Sequence, residues 1–589
     1  MIPRIWQARA AAPAAVDALA HALGISRVTA RLLVLRGLSD AEDARRFLAP
    51  SLDQLHDPMR MAGMPEAVTR IEAAIAAGER VAVHGDYDVD GVTSTVILRR
   101  AIELLGGNIT HFIPERFRDG YGLQPASIER LAAEGVRLII SVDCGIRAAE
   151  AATRARELGV DLIITDHHEP DAALPDACAV VNPKRPDCDY PDKQLAGVGV
   201  ALKVVQALCR RAGHESWLPA FVKIAAIGTL ADVVPLVGEN RVIAKVGLAL
   251  LSKGPHKVGL RALLEASGLT GKAIDGYHVG FVIAPRINAA GRMSTPDIAA
   301  RLLLASDEAL AGEARELAEQ LNAENLRRRE EEATIVQLAK TLVEKDPAIG
   351  ARTVLVVAGE GWHRGVIGIV ASKLVDAFHR PAIVISTEDG VAHGSCRSIP
   401  GFDVLGALES CADLMTRFGG HRQAAGLTME AGHVAELRRR VNVFADASLE
   451  PDDLRPRLTV DAELALSAIT PALLAELESL APFGPGNPRP LFYSSAVTVA
   501  DGPRVVKERH LKMAFRQDGR VLRGMAWRAA ERQETVTANK AALDIAYAVG
   551  EDTWNGERYV QLTVEDFRAP GLPIAELGAP RLVSSTTVS

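Results

Sequence analysis

The chain has 589 residues, 48% of them hydrophobic and 24% charged, more than a single hydrophobic core can hold, so roughly three or four domains are expected. No run approaches the roughly 18 apolar residues of a membrane span, and the Ala-rich start is broken by Pro13, Asp17 and His21, so a soluble, cytoplasmic protein with no membrane partner is expected. The net charge of −7 argues against nonspecific coating of nucleic acid but leaves room for local basic tracks, and six scattered cysteines without a CxxC pair disfavour zinc ribbons and disulfide scaffolds.

Residues 1–70 read as an N-terminal helical cap of short helices with Pro and Gly breaks. Over 71–300 the texture changes. Apolar runs at 81–83, 109–113, 138–142 and 162–165 alternate with helical stretches such as 93–105 and 148–158, which predicts a parallel sheet with helices on both faces. The segment VAVHGDYDVDG sets His84, Asp86, Asp88 and Asp90 directly after the first of these strands. A helix-loop-helix calcium site also reads D-x-D-x-D-G, but it needs a bidentate Glu at its twelfth position, and Ile97 stands there. An Asp-rich turn serving conformation alone remains open at this point.

Two further clusters weigh against a merely conformational role. Asp143 follows the strand LIISV, and Asp166-His167-His168 follow LIIT. In a doubly wound sheet the carboxyl ends of the strands share one edge, so the three clusters converge there. Carboxylates so gathered repel unless cations screen them. Mixed carboxylate and imidazole ligands without thiolate favour Mn²⁺ or Mg²⁺ over structural Zn²⁺, and the ligand number predicts two ions. Such a pair, about 4 Å apart, suits phosphoester hydrolysis by activating water and stabilising the leaving oxygen. No GxxxxGK[ST] loop occurs, so nucleotide-driven motor activity is not supported.

A polar stretch over 301–348, rich in Glu, Arg, Leu and Ala at helical spacing, reads as a long connecting helix with a solvated charged face. Residues 349–450 form a second α/β domain, with strands near 353–359 and 382–386 and a helix near 365–378. It carries HGSCRS and FGGHRQAAG, where Ser395 and Arg397 offer a hydroxyl and a guanidinium fork, although Gly419-Gly420 could equally join a helix to a strand. Residues 455–569 show period-two strands and predict a small β-barrel. Its basic residues are interleaved with Phe515 and Trp527, which fits either a barrel face over buried rings or a single-strand groove. The tail, 570–589, reads as poorly ordered.

The segments HGDYDVDG, SVDCG, TDHHEP and GTLADVVPL resemble, in order, the four phosphoesterase motifs of the DHH superfamily. The resemblance implies that His84, Asp88, Asp90, Asp143, His167 and Asp232 are metal ligands. It also implies that His168 contacts the scissile phosphate or positions the second metal. Asp86 is additional to the simplest His-Asp-Asp pattern and is read as a ligand or a supporting catalytic acid. GGHRQAAG looks like the signature of the DHHA1 domain, which grips substrate and would use Gly420 and His421. PERFRDGYG and PRINAAGRM are similar to cleft-facing segments of RecJ-type exonucleases. By that likeness 5′-phosphate recognition falls on Arg116, Arg286, Ser395 and Arg397, with Asn288 beside them and Tyr121 stacking on a terminal base. The barrel resembles the OB-fold domain of the same family, with Arg504, Lys507, Lys512, Arg523 and Trp527 as its DNA contacts.

The implied activity is 5′ to 3′ degradation of single-stranded DNA to 5′-mononucleotides in repair and recombination, by a monomer that works beside a helicase or single-strand-binding protein. The competing readings are a DHH phosphodiesterase for nanoRNA or small nucleotides, against which the extra β domain, the large size and the basic strand face argue, and a non-catalytic DHH scaffold, whose mark would be loss of ligands.

Overall fold

The first regular element is a strand, β1 (Ile5–Arg9), in a stretch whose Pro and Gly breaks predict helices alone. In the computed structural model, which describes residues 4–116, 118–120, 122–554 and 557–577, β1 pairs with strands from the far end of the chain, so no local pattern announces it. The chain divides into two units, Arg45–Arg328 with Leu480–Pro488 in one and the remaining described residues in the other. The helical cap expected over 1–70 is therefore interrupted by a strand and split at Ala44.

In the unit built on Arg45–Arg328, five strands follow: β2 (Arg80–Gly85), β3 (Asn108–Phe112), β4 (Leu138–Val142), β5 (Asp161–Thr165) and β6 (Ala179–Val181). They pair in parallel in the order β3-β2-β4-β5-β6. Alternate side chains face opposite ways: Val81, Val83, Leu138 and Ile140 pack with the helices Met64–Ala76 and Gly197–Arg211. Ala82, Ile139 and Ile164 pack with Pro125–Ala133 and Ala149–Glu157. Because both faces are covered, the strands read as unbroken apolar runs. Each fully buried Val, Leu or Ile stabilises by roughly 1.5–3 kcal/mol, enough in sum to tolerate acidic side chains crowded at one rim. Strand order reverses between β2 and β4, where the connections leave in opposite directions and open a crevice at the carboxyl edge.

A 35-residue helix, Ala311–Lys345, follows, and the boundary between units falls inside it. The second unit holds a five-stranded sheet of β7 (Leu355–Glu360), β8 (Ala382–Glu388), β9 (Val391–Arg397), β10 (Met415–His421) and β11 (Ala424–Glu430). Its order is β10-β11-β9-β8-β7, and only β7 and β8 run parallel. Gly419 and Gly420 do not join a helix to a strand; they lie within β10 opposite Gly426 and Ala425. Gly420 has φ 146°, and a Cβ there would sit 2.4 Å from Ala424 O, so close backbone approach demands the glycine.

The same unit contains β12 (Arg457–Val460), β13 (Ala462–Glu463), β14 (Phe492–Val506), β15 (His510–Gln517), β16 (Arg520–Ala526), β17 (Leu543–Trp554) and β18 (Glu557–Arg568). β13 to β18 form one sheet, and pairing of β14 with β17 closes it into a barrel. Phe515 is buried inside, as a barrel face over buried rings requires, whereas Trp527 is exposed. Part of the tail departs from expectation: β19 (Ala575–Leu577) pairs in parallel with β1, whose other edge takes β12. Residues 578–589 lie outside the described residues. Among the described residues no helix is long and apolar enough to cross a membrane.

Candidate metal centre

The turn after β2 does two jobs at once. Asp88 caps the helix Val89–Leu104, its carboxylate accepting from Gly91 N at 3.1 Å, so the conformational reading of the Asp-rich turn is correct as far as it goes. Asp86 accepts from Tyr87 N at 2.7 Å. Gly91 must be glycine because a Cβ there would fall 2.4 Å from Asp86 O. Asp90 lies in the first helical turn, and its two oxygens accept from the N–H groups of Gly197 and Val198, both at 2.7 Å. The positive end of the helix Gly197–Arg211 thus steadies that charge.

Three groups of potential ligands result, each with donor atoms within 4.8 Å of one another: Asp86, Asp88 and Asp143; Asp90, His167 and Asp232; and Asp143, His167 and His168. Asp143 and His167 belong to two groups each, as expected of residues shared between neighbouring ions. Asp143 holds φ 60°, a left-handed conformation that Asp tolerates better than most residues. A Cβ on Gly197 would lie 2.5 Å from its Oδ1, so the helix start closes tightly over the carboxylate.

Unpartnered atoms test whether cations fit. His84 Nε2, Asp143 Oδ1, His167 Nε2 and Asp232 Oδ2 are buried without a hydrogen-bond partner. His167 Nε2 lies 3.2 Å from Asp143, 3.7 Å from Asp232 and 3.9 Å from Asp90 oxygens. Burial, then neighbouring His168, pushes His167 down to about 4, and its ring also bonds the Leu195 backbone. A neutral imidazole held on one side, with its Nε2 lone pair facing carboxylates, is the donor set of a metal site. Divalent cations fit these residues.

The charges agree. Burial foremost, then Asp232 and Asp88, raises Asp90 well above the usual carboxylate range, and burial with Asp90, Asp88 and Asp86 does the same to Asp143. Burial and the adjacent Asp88 push both Asp86 and Asp232 up to about 7. His84 is lowered to about 4 by burial. It stands outside the three ligand groups, while Asp86, the residue additional to the motif, stands inside one.

Asp166 is a functional residue to which sequence reasoning assigned no role. Its Oδ1 meets His168 Nδ1 at 2.7 Å and accepts from the N–H groups of His167 and His168, and its Oδ2 accepts from Ile146 N. Burial alone would raise this carboxyl, yet the His168 and backbone bonds hold it below its ordinary value. Burial likewise opposes protonation of His168, and the bond to Asp166 overcomes it. Asp166 therefore orients His168 and leaves Nε2 of that ring for an outside group. The signal was available, since an acid directly precedes the two histidines.

The substrate-side residues divide. Arg116 lies over the Tyr87 ring at 5.4 Å. Asn288 Oδ1 accepts from Val89 N at 3.1 Å, so this side chain holds the metal-binding turn. Arg286 reaches Asn322 at 3.1 Å and Val282 O at 2.7 Å. Tyr121 lies outside the described residues. In the other unit, a Cβ on Gly368, in the first turn of the helix Ile367–Phe378, would lie 3.0 Å from Ser395 Oγ and 3.4 Å from Arg397 Nη2. A hydroxyl, a guanidinium and a helix N-terminus thus meet over a glycine, an arrangement suited to an anion. His421 and Arg397 share one row of the sheet through Ala424, two strands and so about 10 Å apart.

On the barrel, Leu511, Met513, Leu522 and Ala526 point inward, while Lys512, Arg523 and Trp527 emerge on the outer surface. Arg523 lies 5.5 Å over the Tyr559 ring. Arg504 is engaged with Asp501 at 2.9 Å, and Lys507 sits beyond β14 at φ 49°.

Three family models match the chain: the DHH family N-terminal domain at residues 80–229, the DHHA1 domain at 351–446 and the RecJ OB domain at 460–566. The single-stranded-DNA-specific exonuclease RecJ of Bacillus subtilis is 40% identical over 94% of this chain and 69% of its own length. Its counterpart in Salmonella typhimurium is 34% identical over 91% of this chain and 95% of its own. Among solved structures, RecJ of Thermus thermophilus in complex with Mn²⁺ superposes with a TM-score of 0.83 at 33% identity, covering 97% of this chain and 80% of that one.

Proposed function

The chain belongs to the RecJ family of single-stranded-DNA-specific exonucleases, and from that premise we propose that it shortens single-stranded DNA from the 5′ end, releasing 5′-mononucleotides. The observation that carries the reading is the convergence of unpartnered ligand atoms on Asp143, His167 and Asp232. Asp86, Asp88, Asp90, Asp143, His167 and Asp232 would hold two divalent ions, Mn²⁺ or Mg²⁺, with His84 beside them. When bound, such ions supply hydroxide at neutral pH and neutralise charge on the phosphate and leaving oxygen.

The chain's own groups do the rest. Asp90, fixed by two backbone N–H groups, keeps its carboxylate from turning. His168, oriented by Asp166, presents a donor to a phosphate oxygen. Asn288 fixes the turn that carries Asp86 and Asp88. Arg116 and Arg286 supply positive charge, and Ser395 with Arg397 is the site we assign to the terminal phosphate. Work beside a helicase or single-strand-binding protein, and as a monomer, belongs to the same proposal.

Strands labelled at either end test it directly. With Mn²⁺ present, the 5′ label leaves first as a mononucleotide, and EDTA stops its release; first loss of the 3′ label would refute the polarity. A series from dinucleotide to long strand separates this reading from a phosphodiesterase of small nucleotides, which would favour the shortest.

The barrel should add affinity without chemistry. Deleting it would remove β12, which pairs with one edge of β1 while β19 pairs with the other, so point variants are the better probe. Lys512→Ala with Arg523→Ala should lower the slope of log affinity against log salt by about 1.4, since each lost phosphate contact on a single strand removes about 0.7. Trp527→Ala should cost about 1–3 kcal/mol of long-strand affinity through lost stacking. Unaltered salt slope and affinity would show that this face does not hold DNA.

A further inference from the structure

Tyr277 and Phe281 are among the most exposed large hydrophobic side chains described, at 63% and 72%, and their rings stack on one another with centroids 5.0 Å apart and planes 27° from parallel. Both lie in the apolar run GYHVGFVIA. The structure buries Val279 and Ile283 instead. The backbone from Val279 to Ile283 is a π-helical turn, a rare widened insert that is frequent at functional sites. Phe281 lies within this turn and Tyr277 two residues before it, and both rings are exposed against one another.

The segment lies between two stretches that pack next to ligand-bearing turns. It continues directly into the helix Ala284–Met293, whose Asn288 holds Val89 N and whose Gly291 lies against Tyr87, a Cβ there falling 2.6 Å from Tyr87 O. From Phe281 to Asn288 the helical rise covers about 10 Å. On the other flank, a Cβ on Gly276 would come within 3.9 Å of Leu230 Cδ2, two residues before Asp232. Immediately after that ligand, Val233 is 66% exposed at φ 63°. A β-branched side chain at positive φ is a strained outlier, and strain of this kind gathers at functional sites.

We propose that Tyr277 and Phe281 form a base-stacking platform that grips nucleobases of the single strand about one or two nucleotides from the scissile phosphate. The proposal rests on the single-strand reading above and names a binding site within it. A nucleic acid suits this surface better than an apolar peptide for two reasons. The rings present exposed faces on the run that leads into the helix whose Asn288 holds the metal-binding turn, and that helix carries Arg286 and Arg292, whose charge complements a phosphodiester backbone. Stacking on aromatic faces is also tolerant of sequence, as degradation of any strand requires.

The test is a cycle on the full chain with Mn²⁺. Phe281→Ala and Tyr277→Ala are made at exposed positions, and each is assayed on 5′-phosphorylated strands that are intact or carry one abasic site at successive positions from the 5′ end. For the unaltered protein, KM should rise about five- to 150-fold when the abasic site occupies the platform, the range expected for one stacked base. For Phe281→Ala, KM on the intact strand rises by a similar factor and the abasic site then adds less than about twofold, while Phe281→Trp restores the intact-strand value. Abasic sensitivity persisting unchanged in both alanine variants would overturn the platform. So would unaltered KM in both, the result expected if the rings receive a partner protein. A fall in kcat alone, equal on all strands, would also overturn it, because it would mean disturbance of the turn held by Asn288. Failure of the unaltered protein to hydrolyse any single strand would instead refute the function on which the platform rests.

Discussion

Replacing Asp143 by Asn should lower hydrolysis of single-stranded DNA by about a thousandfold, the equivalent of about 4 kcal/mol of lost transition-state stabilisation. The carboxylate belongs to two of the three ligand groups, so one substitution weakens both ion positions. Asn is the informative choice. It keeps the size that the Gly197 helix start encloses and tolerates φ 60°, so loss of activity reports lost charge instead of a displaced backbone. Strand binding should change little, because the barrel and the Ser395–Arg397 pocket belong to the other unit. His167→Ala should behave similarly.

The same variant has an expected effect on stability. Without metal, Asp86 and Asp232 carry folded-state values near 7 against an ordinary 3.8, with Asp90 and Asp143 also raised. Groups raised in this way favour the folded state fully below the unfolded value and lose that contribution as pH rises through the folded one. The metal-free protein should therefore melt lower at pH 8 than at pH 5, and Mn²⁺ should raise the melting temperature more at pH 8, where its ligands are ionised in both states. Asp143→Asn should raise the metal-free melting temperature at pH 8 and shrink the gain from Mn²⁺. Near-normal turnover with an undiminished Mn²⁺ shift would refute the assignment of Asp143 as a shared ligand.

Arg397→Ala should slow degradation of 5′-phosphorylated strands about ten- to 150-fold, the result of losing a charge-assisted hydrogen bond worth about 1.5–3 kcal/mol. Its guanidinium is held in place from within the sheet, where Nη1 donates to Cys396 O at 2.8 Å and lies 3.4 Å from Ser395 Oγ. Gly368 keeps the space over these groups open at a helix start. The defect should be specific. On strands with a 5′-hydroxyl, variant and unaltered protein should differ by less than about twofold, because the missing partner was a phosphate. Arg397→Lys should recover part of the loss, since the charge remains while the planar fork does not. Melting temperature and Mn²⁺ affinity should stay the same. Equal slowing on phosphorylated and hydroxyl ends would place Arg397 elsewhere in the mechanism.

The sequence alone determined the alternation of apolar runs and helices at 80–165, the gathering of acidic and imidazole clusters at strand ends, and the β texture after 455. Each is set locally: a buried parallel strand must be continuously apolar, and a ligand placed just beyond it must emerge at the sheet edge. Long-range partners left no such trace. β1 and β19 are short and become strands only through distant partners, β1 between β12 and β19 and β19 against β1, so their parallel pairing across the length of the chain was invisible. Tertiary packing also decided between roles that one residue type can play. It made Asp166 a support for His168, turned Asn288 toward the metal-binding turn, and set His84 outside the ligand groups that admit Asp86. The run 276–283 shows the reason most directly. Its apolar pattern specifies a helix with something to bury, but only the π-helical turn and the neighbours on each flank decide that Val279 and Ile283 face the core while Tyr277 and Phe281 face solvent. Helical period is a property of the local chain, whereas the direction of a face depends on what packs against it.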